Sequence, residues 1–266
     1  MPREAGLQLR KLFPEHNATC GPDGPPDRKN TVMTATALPA ISALRADIDR
    51  LDAELLTLME QRLSLSRSIA AAKSEEPDAL MLRPNREEQV VTRLAARSTR
   101  IPEASIAAIW RELMSLNLQA QRRTELVIHA PNHPGGVTGR ASARFGVSAP
   151  VVHVETAAQA LARARRAQAV AIIELDQQSD WWRVLADDAD LHVIDELRGA
   201  GGRGSALAVA RIPAEHLPRS RRWKVLEEAD LVARLCRGEA VCPLAAAGNL
   251  RLCILEEIAQ PARAAA

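Results

Sequence analysis

The stretch LRADIDRLDAELLTLMEQRLSLSRSIAAAK, residues 44–73, contains neither Gly nor Pro. Its apolar residues begin upstream at Ile41 and continue through Leu44, Ile48, Leu51, Leu55, Leu58, Met59, Leu63, Leu65 and Ile69, mostly at three- and four-residue steps. That period predicts one helix from Pro39 to about Ser74, roughly 50 Å long at 1.5 Å per residue. So long a helix cannot bury its stripe against the short sequence that follows it, so the pattern predicts an extended bundle or a dimer. SEEPDALMLRPN, residues 74–85, breaks the helix. Pro84 suits the start of a second helix over about 85–98, which Ile101-Pro102 ends. A third helix is predicted from Glu103 to Arg122 through Ile106, Ile109, Trp110, Leu113, Leu116 and Leu118.

Composition narrows the function classes. The 266 residues are 47% hydrophobic and 26% charged, which excludes a wholly disordered or collagen-like chain and fits one large domain or two ordinary ones. Lys and Arg number 35 against 33 Asp and Glu, so no global field favours nucleic acid or an anionic membrane, and any cation-driven function is local. The four cysteines, Cys20, Cys236, Cys242 and Cys253, are too few for a disulfide scaffold and lack the close pairs of a zinc site; they read as reduced thiols of a cytoplasmic protein. No apolar run is long enough to span a bilayer, and no signal-peptide core precedes the first helix. Residues 1–38, with NATCGPDGPPDRKN at 17–30, read as a disordered leader, and Met33 offers a second start position.

After Arg123 the pattern changes. Short β-type runs at Leu126–Ile128, Val151–Val154, Ala171–Ile173, His192–Ile194 and Ala206–Val209 alternate with helical patterns at Ala157–Arg166 and Trp181–Ala186, the signature of an α/β layer domain. The expected class is therefore α + α/β, with a helical unit over 39–123 and an α/β domain over 124–266. Beyond Arg219 come a basic cluster (Arg219, Arg221, Arg222, Lys224), read as a solvated linker or an acidic-partner contact, another helical stretch, and a last β-type run near Leu252–Ile254. Gly135–Arg140 (GGVTGR) reads as a turn rather than an anion-cradling loop, since it lacks the Gly-Lys-Ser/Thr of a P-loop. The glycines from Gly199 to Gly204 read as a flexible loop, and Trp181-Trp182 as a core anchor at a helix start. His129, His133 and His153 are either a metal set or separately satisfied side chains.

The cations of the long helix are more informative. Eleven steps of 100° bring Lys73 within about 20° of Arg62, so both lie on one face, near the line of Leu55 and Ile69. Two cations in an apolar stripe either snorkel or pair with carboxylates such as Glu87 and Glu88, or they line a dry pocket for a small polyanion. Lys73 is one of only four lysines in an Arg-rich chain, with Lys11, Lys29 and Lys224. Arg45 lies roughly 25 Å along the same helix from Arg62. One chain cannot bring these two to one small molecule, but an antiparallel partner helix would place the partner's Arg45 beside Arg62 and Lys73.

With RPNREEQVVTRL (83–94) and IWRELMSLNLQAQ (109–121), the long helix resembles the all-helical class of chorismate mutases, which fold as intertwined dimers of three-helix chains. The resemblance spans residues 40–122. It implies that Arg45 crosses to the partner's site, that Arg62 and Arg45 clamp the two carboxylates of chorismate, and that Lys73 and Gln121 donate to the ether oxygen. It further implies that Glu87 accepts from the ring hydroxyl, that Arg86 orients Glu87 and the anion, and that Asn117 stands where the family commonly has Ser. Arg83 lies near where some members place an Asp. The rearrangement to prephenate is a concerted [3,3] shift, so neither cofactor nor metal is implied; the protein must hold the reactive conformer and stabilise charge on the breaking C–O bond.

A helical mutase followed by an α/β half resembles the bifunctional chorismate mutase–prephenate dehydratases, whose second domain resembles a periplasmic binding protein. ARFG at 143–146, Trp181-Trp182 and SALAVARIP at 205–213 carry that likeness. The Thr-Arg-Phe motif of the dehydratase reaction and the Glu-Ser-Arg-Pro segment of phenylalanine binding are absent, so residues 124–266 read as a degenerate domain, structural or effector-binding. Two rival functions stand beside the mutase: isochorismate-pyruvate lyase on the same helical fold, and a non-catalytic dimer that senses a metabolite. Because Gln121 donates as an amide without taking up a proton, chorismate consumption followed from neutral to acidic pH is expected to stay level or fall; a steep rise toward low pH would contradict this role.

Overall fold

The computed structural model describes residues 40–72, 80–166, 168–176, 178–202 and 205–256. The proposed leader and Lys73 lie outside these residues. Three helices come first: α1 (Ile41–Ala72), α2 (Pro84–Ala95) and α3 (Glu103–Gln121). Two compact units divide at Ile48–Asp49. Of the first, the described residues are opening turns of α1, exposed throughout; the second holds the remaining elements.

The helices carry their predicted stripes very differently. In α1 only Ser66 is buried, while Leu51, Leu55 and Leu65 are 48%, 54% and 66% exposed. In α3 the residues Ile106, Ala107, Leu113, Ser115 and Asn117 are buried. Pro84 occupies the first turn of α2, where its missing N–H costs no helical bond, and α2 ends at Ala95, before the predicted Ser98.

Beyond α3 lie β1 (Glu125–His129), α4 (Pro134–Phe145), β2 (Val151–His153), α5 (Ala157–Ala164), β3 (Ala169–Glu174), β4 (Leu191–Leu197) and β5 (Ala206–Arg211). They build a five-stranded sheet of order β2-β1-β3-β5-β4, in which β1 pairs in parallel with β2 and β3, and β5 runs antiparallel to β3 and β4. Helices α4 and α5 cover opposite faces. Val137, Ala141 and Phe145 of α4 pack with Leu126, Ile128 and Ile172, while Ala160, Leu161 and Ala164 of α5 pack with Val127, Ala171 and Ile173. The central strand β3 is buried along its whole length, as a strand covered on both faces must be. Thr156 and Gln159 cap α5 reciprocally: the Thr156 hydroxyl accepts the Gln159 N–H at 3.2 Å, and the Gln159 side chain accepts the Thr156 N–H at 3.2 Å.

A second sheet, β6 (Arg221–Glu227), β7 (Val241–Ala247) and β8 (Leu250–Glu256), has the order β6-β8-β7, with α6 (Glu228–Cys236) following β6. The term all-helical therefore holds only for α1 to α3. The basic cluster at Arg219–Lys224 is not a linker. From Arg221 it forms the edge strand β6, where Trp223 is partly buried between the exposed Arg222 and Lys224, and charged side chains suit an edge. No helix among the described residues is long and apolar enough to cross a membrane.

Two glycine-rich segments depart from expectation. Gly135, Gly136 and Gly139 lie inside α4, not in a turn; the buried series Val137, Ala141, Phe145 outweighs their poor helix propensity by packing on the sheet. The backbone N–H groups of Asn132 and His133, which lead into α4, donate to the buried Glu174 carboxylate at 2.9 and 3.3 Å, so the chain supplies its own anion there. Gly199 is followed by a 3₁₀ turn at Ala200–Gly202. Trp182 is fully buried and donates to Ser179 O at 2.7 Å, an anchor as expected, although its segment is 3₁₀.

Gly146, which ends α4, has φ +88° and ψ 152°, a region that side chains rarely occupy. A Cβ there would collide with Ser115 of α3. Next to it the Val147 N–H donates to Glu112 of α3 at 3.1 Å, so α4 is seated against α3 by backbone contact. Gly146→Ala is expected to lower stability by about 1–3 kcal/mol, read as a reduced urea midpoint at unchanged helix content.

Candidate active site

α1, α2 and α3, with the segment just before α2, enclose a cavity of about 530 Å³. Leu82, Val90, Met114 and Leu118 contribute apolar wall, and Trp110 adds an aromatic face. Four guanidinium groups line it among the described residues, those of Arg62, Arg83, Arg86 and Arg93, against one carboxylate, that of Glu87. Such a lining favours a small anion, and low-dielectric walls strengthen each contact.

Gln121, Asn117, Arg83 and Glu87 each have an identifiable partner. Arg62 is half-buried, and loss of solvent pulls its pKa below the ordinary guanidinium value. Gln121, on the last turn of α3, donates its amide N–H to the Ser66 hydroxyl of α1, which ties the two helices at the cavity wall. Asn117 is buried and donates to Leu113 O, one turn earlier in α3. Arg83 folds back to donate to Leu80 O and, at 3.0 Å, to Leu82 O. Glu87 pairs at 3.0 Å with Arg144 of α4.

Arg62, Arg86, Glu87, Asn117 and Gln121 thus meet at one cavity. Arg45 is exposed on α1 and is not among the lining residues. Lys73 lies outside the described residues. The guanidinium on Glu87 is that of Arg144, not of Arg86, which is exposed at the cavity. Sequence reasoning missed Ser66 and Arg93. Both had a helical signal: Ser66 lies four residues after Arg62, and Arg93 seven after Arg86, which puts each pair on one face. The histidines do not gather. His129 Nδ1 faces Val154 O at 3.3 Å, His133 pairs with Glu174 at 2.6 Å, and no group of metal-ligating side chains forms among the described residues.

Residues 44–122 match the family model for chorismate mutase type II, a match that supports mutase activity in the broad sense. No curated protein and no solved structure matches the chain. Ser66→Ala removes the acceptor for the Gln121 amide and is expected to cost about 0.5–1.5 kcal/mol, measured by urea titration, with helix content unchanged.

Proposed function

We propose that two copies of the chain rearrange chorismate to prephenate by a concerted [3,3] shift, in a cationic cavity that both subunits complete. The observation that carries this reading is the meeting of Arg62, Arg86, Glu87, Asn117 and Gln121, from three separate helices, around one cavity lined by an excess of guanidinium groups. Arg62 and Arg45 of the partner subunit hold the two carboxylates of the substrate, using the bidentate geometry of guanidinium. Lys73 and Gln121 donate to the ether oxygen, where negative charge grows as the C–O bond breaks. Ser66 takes up one N–H of the Gln121 amide and leaves the other for that oxygen. Glu87 accepts from the ring hydroxyl, and Arg86 and Asn117 complete the substrate contacts. No proton transfer, nucleophile or cofactor enters.

The homodimer in this reading answers a second observation. Ten large apolar side chains of α1 are exposed, each worth about 1.5–3 kcal/mol when fully buried, and a second α1 laid antiparallel covers them. Residues 39–123 form the catalytic unit. Residues 124–266 form a degenerate relative of the prephenate dehydratase domain, periplasmic-binding-like and without dehydratase chemistry, and the protein works in the cytoplasm.

Purified protein is assayed with chorismate and with isochorismate; the mutase reading expects prephenate from the first and no pyruvate release from the second. Arg45→Ala and Arg62→Ala are each expected to lower kcat/KM by orders of magnitude with helix content intact. Unfolded and refolded together in equal amounts, the two variants should regain about a quarter of wild-type activity, because half of the dimers are mixed and one of their two sites is whole. An inactive mixture of folded dimers would overturn the shared site.

A further inference from the structure

Glu87 has a neighbour that the helical unit does not supply. Arg144 Nη1 lies 3.0 Å from Glu87 Oε2, and Arg144 Nε donates to Asp195 of β4. The three side chains are little exposed, 18% for Glu87, 13% for Arg144 and 29% for Asp195, so water screens their attraction weakly. Burial alone would lower the pKa of Arg144, yet the attraction of Glu87 and then of Asp195 outweighs it and the value is raised. Its guanidinium also lies over the Phe145 ring, 4.8 Å from the centroid. Arg111 of α3 is close enough to feel all three charged groups.

The geometry is directional. Glu87 lines the cavity of the proposed site, and Arg144 does not. Arg144 instead lines a neighbouring cavity of about 520 Å³ together with Glu87 and Asp195, one that Arg62 does not line. Both ends of Arg144 are anchored. At one end, α4 is seated on α3 through Gly146 and Ser115. At the other, β4 carries a bulge between Val193 and Asp195, a device that re-aims a side chain, and Asp195 Oδ1 accepts the Glu196 N–H at 2.8 Å.

We propose that Arg144, from the α/β region, is a positioning residue for the site described above: held by Asp195, it fixes the Glu87 carboxylate from outside the cavity and leaves Oε1 for the substrate hydroxyl. A free carboxylate among Arg62, Arg83, Arg86 and Arg93 would turn to pair with one of them and be lost as an acceptor. The α/β region is on this account a catalytic support, and the inference rests on the mutase reading.

A double-mutant cycle on the full-length chain tests it. Arg144→Met is expected to lower kcat/KM for chorismate by on the order of tenfold or more where Glu87 is present, and by less than about twofold where Glu87→Gln has already removed the carboxylate. Asp195→Asn should show the same dependence on Glu87 with a smaller loss, and it carries the test if Arg144→Met fails to fold by circular dichroism. Arg144→Lys, which keeps a cation near Glu87, should recover part of the activity. Full activity in Arg144→Met, or an equal loss in both backgrounds, would overturn the positioning role while leaving the mutase reading intact. A wild-type chain that consumes no chorismate would overturn both.

Discussion

An apolar stripe left in water by its own chain is the constraint on which the molecule turns. α1 is 32 residues long and buries only Ser66, while Leu44, Leu51, Leu55, Leu58 and Ile69 remain exposed. The hydrophobic effect scales with apolar area removed from water, so this helix gains little from the fold of a single chain. It also carries Arg62 and Ser66, two of the polar residues at the cavity. In the proposed dimer, the burial that makes α1 stable is the same event that dries the site and strengthens its charge-assisted bonds.

The cavity illustrates how a site can be strongly cationic without being uniformly so. Its four guanidinium groups suit a dianion, but the proposed chemistry also needs one hydrogen-bond acceptor among them. A lone carboxylate in such company is difficult to keep in place, because each arginine competes for it. The pairing of Glu87 with Arg144, itself tied to Asp195, meets that difficulty from outside the cavity. The α/β region then has a physical reason to accompany a helical unit: rigid sheet structure holds a charged side chain more firmly than a loop does.

The three helices and the alternation of the α/β region were legible in the sequence because local period determines them. Short apolar runs such as Leu126–Ile128, Ala171–Ile173 and Ala206–Val209 mark buried strands, and Ile41 to Ile69 repeat as helix residues must. Failures fell where packing overrode local preference. α4 forms despite Gly135, Gly136 and Gly139, because Val137, Ala141 and Phe145 have a sheet to cover. β6 forms from an arginine-rich stretch because β8 offers it a ladder.

Helical spacing, a property of the chain alone, put Arg62 on the apolar face of α1, and the likeness to the helical chorismate mutases singled out Arg86, Glu87, Asn117 and Gln121, which line the same cavity. What holds them in place is a matter of packing. Ser66 against Gln121 joins residues 55 apart, and Arg144 between Glu87 and Asp195 joins three elements. Such partners depend on how helices and sheet pack in space, and no local period encodes that.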